Sequence, residues 1–173
     1  MRRVAVQASA SGNGKTTLAR ALAERLGVPY VELDALNHGA GWQEATAEEL
    51  RARIEPIVAG DGWVIDGVYR GKLGTLVLDA ADTVVWLDLP IRVWLPRLVR
   101  RTVRRIVTGE ELWNGNRESL RGALLGRDAL LPYAVRSHFR RRREYPRALA
   151  PYNVVRLRSR DAVAAFLRSA RSS

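Results

Sequence analysis

Residues 8–17 read Ala-Ser-Ala-Ser-Gly-Asn-Gly-Lys-Thr-Thr, close behind the apolar run Val4-Ala5-Val6. A β-branched strand, a loop of small residues and a helix opening at Lys15 follow one another without a break. Such a loop lets backbone N–H groups turn inward around phosphate oxygens, and the helix adds the positive end of its dipole. Gly12 and Gly14 permit the tight backbone path, and only Ser9 departs from the usual pattern, standing where its first glycine is expected. On this reading Ser11, Gly12, Asn13, Gly14, Lys15, Thr16 and Thr17 hold the phosphates of a nucleotide. Lys15 reaches the outer phosphates and Thr16 offers its hydroxyl to Mg²⁺.

Working outward, the chain alternates strands with helices. The helix over 15–26 is stopped by Gly27 and Pro29. A second strand over 30–33 ends at Asp34, which puts Glu32 and Asp34 on one face of an extended chain. Thr46, with Glu49 three residues on, reads as a capping box opening a helix to Val58. Further strands are expected at 63–65, 83–87 and 154–157, and Ser159 caps a final helix. Continuous apolar strands separated by helices argue for an α/β domain whose parallel sheet is covered on both faces. Residues 91–149 are long, helical and arginine-rich, with about 108–135 as a lid-like excursion bent at Gly109, Gly115 and Gly122.

The chain has 173 residues, of which 47% are hydrophobic and 27% charged, a balance that argues against disorder. It contains no cysteine, which excludes disulfide scaffolds, cysteine-ligated zinc and thiol catalysis. No apolar run approaches a membrane span, because Asp88 and Arg92 interrupt the richest stretch, so a cytoplasmic protein with no membrane partner is expected. The net charge of +11 is uneven. Residues 1–90 carry 9 Lys and Arg against 12 Asp and Glu, whereas residues 91–173 carry 20 against 6. Only Lys15 and Lys72 are lysines, and arginine forks bind phosphate bidentately without losing their charge.

The chain resembles the nucleoside-monophosphate kinase group of P-loop proteins, adenylate kinase included. The residues Trp63-Val-Ile-Asp-Gly-Val-Tyr-Arg70 are similar to that group's Asp-Gly-aromatic-Pro-Arg motif, with Tyr69 in proline's place. The resemblance implies a three-layer P-loop NTPase fold with a five-stranded parallel sheet of order 2-3-1-4-5 and a helical, arginine-rich lid. It implies that Asp66 anchors the Mg²⁺ site and that Arg70 bridges the acceptor and the transferred phosphoryl group. Thr83-Val-Val-Trp-Leu-Asp-Leu-Pro90 resembles the next strand, with Arg97 seven residues after Pro90 and Arg101 four further on. Helix geometry puts Arg97, Arg101 and Arg104 on one face, opposite an apolar stripe of Ile91, Trp94, Leu95, Leu98 and Ile106. These arginines are expected to stabilise charge on the moving phosphoryl group and to stack on the purine. Within 136–147, Arg141 and Tyr145 have the spacing of a returning lid arm, so one or two of these arginines are expected at the triphosphate.

The passage 32–42, Glu-Leu-Asp-Ala-Leu-Asn-His-Gly-Ala-Gly-Trp, is similar to shikimate- and gluconate-type kinases and most resembles bacterial adenylate-kinase-related, topology-modulation (FlaR-type) proteins. That similarity gives Asp34 to the acceptor. A hydroxyl acceptor needs its proton removed, with Asp34 the candidate base, whereas a phosphate acceptor needs arginines such as Arg70. The expectation is an ATP- and Mg²⁺-dependent phosphoryl transfer to a small acceptor, a nucleotide or nucleotide-like molecule. Two rivals stand beside it: a nucleotide-dependent DNA-associated protein using the basic half, and a non-catalytic nucleotide-binding regulator. The basic stretches hold few aromatics for base stacking and no readout motif, which counts against a nucleic-acid partner.

Overall fold

The computed structural model describes residues 1–116, 119, 122–123 and 129–170. Five parallel strands form one sheet in the order β2-β3-β1-β4-β5. They are β1 (Arg3–Ala8), β2 (Tyr30–Glu32), β3 (Trp63–Asp66), β4 (Thr83–Leu87) and β5 (Val154–Leu157). The helices are α1 (Lys15–Leu26), α2 (Leu33–Asn37), α3 (Ala47–Val58), α4 (Arg70–Leu73), α5 (Leu76–Ala80), α6 (Ile91–Thr108), α7 (Leu130–Ala148) and α8 (Arg160–Ser169). Register runs Val4↔Val64 and Val6↔Asp66 on one side of β1, and Val4↔Thr83 and Ala8↔Leu87 on the other.

Alternation along β1 divides the core. Val4, Val6 and Ala8 pack with Leu18, Leu22 and Leu26 of α1 and with the apolar side of α8. Ala5 faces the other way, into a layer of Leu50, Ile54, Trp63, Trp86 and Tyr145. The parallel register aligns the carboxyl ends of all five strands along one edge, the place where sheets of this kind bind ligands.

The local signals hold. Gly27 ends α1 in the left-handed conformation at φ 64°, and Thr46 with Glu49 closes the capping box of α3. Ser159 accepts a hydrogen bond from the Ala162 N–H at the start of α8. One expectation changes: β2 stops at Glu32 and Asp34 lies in the first turn of α2, so the two acids do not share a strand face. Residues 109–116 of the expected helical excursion are non-helical apart from a 3-10 turn at Trp113–Gly115, because Gly109 and Asn114 take left-handed angles. Most of 117–128 lies outside the described residues. Among the described residues, no helix is long and apolar enough to cross a membrane.

Candidate active site

The loop between β1 and α1 is held from both sides. Gly12 and Gly14 take φ angles of 80° and 87°, a region that L side chains adopt only at a cost. A Cβ on Gly12 would stand 2.8 Å from the Trp94 carbonyl oxygen and 2.9 Å from Leu98 Cβ, so α6 lies directly against the loop. Asn13, 2% exposed, donates from Nδ2 to the Ala10 carbonyl at 2.9 Å and accepts the Leu89 N–H at 3.1 Å. Leu18 N–H is bonded to the Gly14 carbonyl, so the amides just before it, at the mouth of α1, have no partner within the helix.

Below that mouth lies Asp66, fully buried at the end of β3. Its carboxylate forms an ion pair with Lys15 Nζ, accepts Thr16 Oγ1 at 2.7 Å and accepts the Tyr30 hydroxyl at 3.2 Å. Burial, with the charge of Asp66, pushes the Tyr30 hydroxyl well above its ordinary value and keeps it a donor. A hydroxyl and a carboxylate on a phosphate loop are hard oxygen donors suited to magnesium, which takes few protein ligands and the rest from phosphate and water. No cluster of three or more His, Cys, Asp or Glu residues able to hold a metal occurs among the described residues.

The serine that departs from the phosphate-loop pattern has a partner. Ser9, fully buried, donates to Asp88 Oδ1 at 2.9 Å, and its oxygen accepts the Trp86 indole N–H at 2.9 Å. Asp88 also takes Arg156 through Nε at 3.0 Å and Nη2 at 2.6 Å, and Arg142 Nε of α7 at 3.0 Å. The Arg156 guanidinium lies 4.0 Å over the Trp86 ring. One residue before Arg142, Arg141 donates from Nη1 to the Ala8 carbonyl at 3.2 Å. Two arginines of the basic run therefore turn inward to the loop, while Arg140, Arg143 and Arg147 line an outer groove beside exposed Phe139.

On the side of the loop facing α8, a cavity of about 460 Å³ is lined by Gly12, Thr17, Leu87, Leu89, Arg97 and Arg160, among others. Two guanidiniums over apolar walls suit a planar base bonded to a phosphate chain. Arg97 is therefore in place beside the loop, whereas Arg101, half-buried one turn further along α6, does not line this cavity.

On the opposite side, Asp34 Oδ1 accepts the Tyr69 hydroxyl at 2.8 Å, three residues beyond Asp66 in the chain. Burial, reinforced by the Asp34 charge, pushes the Tyr69 hydroxyl far up, so it remains a donor. Arg70 is exposed at the start of α4, and its charge, with that of Arg141, acts on the buried Tyr145 hydroxyl. The sequence reading missed Tyr30, Asp88, Arg156 and Arg160. Only Asp88 carried a local signal, as the acid ending a strand.

The model of the ATPase family associated with various cellular activities (AAA) matches residues 8–85. A shikimate kinase of Chlorobium chlorochromatii (strain CaD3) is 31% identical over 119 residues, covering 58% of this chain and 60% of that protein. The chain thus spans about three-fifths of the length of this curated relative. A shikimate kinase structure from Bacteroides thetaiotaomicron superposes with a TM-score of 0.58 at 17% identity, over 96% of this chain and 94% of that one. A gluconokinase structure from Sinorhizobium meliloti 1021 gives 0.52 at 21% identity, over 98% and 93%. The fold is that of the P-loop kinases.

Proposed function

We propose that this P-loop protein is an ATP-dependent kinase that transfers the γ-phosphoryl group to a small molecule. The observation that carries this reading is the cluster of Lys15, Thr16 and Asp66 at the open mouth of α1, with the Arg97–Arg160 cavity on one side and Asp34 on the other. The cavity takes the base, the loop amides take the phosphates, and the Asp34 side is left for an acceptor. The shikimate kinase and gluconokinase named above support a small hydroxyl compound in that place.

Each residue then has a task. The N–H groups of Gly14 to Thr17 cradle the phosphates, and Lys15 exchanges Asp66 for their outer oxygens. Thr16 and Asp66 would hold a magnesium ion, which would neutralise charge on the phosphate oxygens. Arg97, Arg70 and Arg141 are the cations this reading assigns to the charge that develops as the phosphoryl group moves. Asp34 takes the acceptor's proton as its oxygen bonds to the γ-phosphorus. The bond from that phosphorus to the β–γ bridging oxygen breaks, and ADP leaves with that electron pair. A cytoplasmic setting, where ATP is abundant, is part of this reading.

The test is ADP release by purified protein with Mg·ATP and a panel of small alcohols and nucleotides. Lys15→Ala should lower turnover by about 10²-fold or more, the scale of losing one preorganised charge donor, with unchanged circular dichroism. Unaltered turnover in that variant removes the assignment. Tight ATP binding without transfer to any acceptor would instead support a regulator.

A further inference from the structure

The turn that carries the chain from β3 to α4 is built on one unusual residue. Tyr69 takes φ 41° and ψ 48°, left-handed backbone at a bulky side chain. Such an angle costs free energy and persists where the surroundings need what the residue brings. Proline, the residue of the related kinase motif at this position, holds φ at about −65° and could not follow the same path.

Gly67, two residues earlier, shows what the turn is pressed against. At φ 110°, a Cβ on it would stand 3.4 Å from Leu33 Cβ and 3.7 Å from Tyr69 Cδ2. Leu33 is fully buried and opens α2, so its neighbour Asp34 is carried to the same turn. The outcome is the 2.8 Å hydrogen bond from the Tyr69 hydroxyl to Asp34 Oδ1, between residues 35 apart in sequence. Among the described residues, Oδ2 of that carboxylate receives no hydrogen bond.

The phenol is fixed in turn. Its oxygen has His38 Nε2 at 3.4 Å, and the His38 ring stacks on Trp113 with centroids 5.9 Å apart and planes 24° from parallel. The His38 N–H is bonded to the Asp34 carbonyl at 3.0 Å, which closes the backbone of α2 behind the pair. Burial and the Asp34 charge keep the phenol protonated, so it is the donor.

Cations stand close by without taking Asp34. Arg70, the next residue, is exposed, and its charge acts on the hydroxyls of Tyr145 and Tyr152. Lys72 binds Glu44, Asn37 Oδ1 and the Ala45 carbonyl, each at 2.7 Å, and Arg53 reaches the Leu36 carbonyl at 2.5 Å. Among the described residues, none of these three cations forms an ion pair with Asp34. What holds the carboxylate in one orientation is therefore a neutral phenol.

We propose that Tyr69 is the positioning residue of the transfer: its hydroxyl, anchored by the left-handed turn, holds Asp34 by Oδ1 so that Oδ2 meets the acceptor's O–H. The proposal rests on the kinase reading above, in which Asp34 takes that proton, and it assigns a residue that no step there employs. The phenol neither gains nor loses a proton. The acceptor's proton goes to Oδ2, and the acceptor oxygen bonds to phosphorus as ADP leaves.

The test is a double-mutant cycle on ADP release from Mg·ATP, with shikimate, gluconate, deoxyadenosine and water as acceptors and ATP binding followed by calorimetry. Tyr69→Phe keeps the ring and should lower kcat about tenfold or more, a share of what a placed general base supplies, with ATP affinity as in the parent. Acceptor KM should move by less than about threefold, since only the direction of the base is lost. Asp34→Asn should lower kcat by about 10²-fold or more. In that background Tyr69→Phe should cost less than about twofold, because a hydroxyl that acts through Asp34 has no base left to hold in line. An equal loss in both backgrounds would show a hydroxyl that acts by itself, and overturns the proposal. So does a kcat untouched by Tyr69→Phe, a loss confined to the acceptor KM, or parental turnover in Asp34→Asn. A parent that binds ATP and transfers to none of the four acceptors overturns the kinase reading itself, and the proposal with it.

Discussion

Ser9 and Asp88 are 79 residues apart in sequence and joined by a buried hydrogen bond of 2.9 Å. The bond accounts for a serine where phosphate loops usually have glycine. Its hydroxyl satisfies the Trp86 indole N–H and one lone pair of Asp88, whose other contacts are Arg156 and Arg142. One carboxylate thus ties the start of the phosphate loop, the end of β4, the strand β5 and the returning helix α7.

Removing that carboxylate leaves two guanidiniums facing each other without their anion. Asp88→Ala should cost about 1.5–3 kcal/mol, the scale of hydrogen bonds to a charged group, because the arginines it leaves are partly open to water. Ser9→Gly, which restores the usual loop residue, should still cost about 1–3 kcal/mol, because it strands a buried indole N–H. Urea denaturation measures both. A Ser9→Gly protein as stable as its parent would show that the hydroxyl is dispensable.

Gly12→Ala tests how closely α6 is pressed on the loop. The new methyl would meet backbone atoms of Trp94 and Leu98 at 2.8 Å and 3.2 Å, on a residue already at φ 80°. Helix or loop must shift, and about 2 kcal/mol or more of stability should go with it. ATP affinity should fall in step, since the same shift opens the cradle. Unchanged binding by calorimetry would mean that the loop relaxes freely.

His138 makes stability depend on pH. It is 1% exposed, packed 5.3 Å from the Trp94 ring, and burial, with Arg142 close by, pushes its pKa below 6.5 while Asp88 opposes the shift. The unfolded chain therefore binds this proton more readily than the folded one. Stability from this group is complete above pH 6.5 and is lost progressively as pH falls toward the depressed folded value. Tm should drop between pH 7 and pH 5, and His138→Leu should flatten that drop. An equal slope in the variant would assign the effect to other groups.

Much of the architecture could be read in the chain because its signals are local. Gly27 with Pro29, Thr46 with Glu49, and Ser159 each end or start a helix through contacts within a few residues. Lys15 and Thr16 were legible because a phosphate loop constrains spacing tightly, and Asp66 because it ends an apolar strand in a stretch that resembles a kinase motif. What escaped depends on distant partners. Arg160 and Arg97 line one cavity from helices that are far apart in sequence. Asp88 is one acid among 18 Asp and Glu until Ser9, Arg142 and Arg156 converge on it. Asp34 was placed on a strand because Leu33 continues the apolar pattern, yet α2 begins there and turns the side chain toward Tyr69.

The pairing of Lys15 with Asp66 balances the two charges at the mouth of α1. A nucleotide arriving without its divalent cation would take the lysine away and strand a fully sequestered anion, with only Thr16 and Tyr30 to console it by hydrogen bonds. A metal-laden nucleotide brings a replacement charge in the same encounter. On the proposed kinase reading, that single ion pair would favour the metal-bound nucleotide before any acceptor arrives.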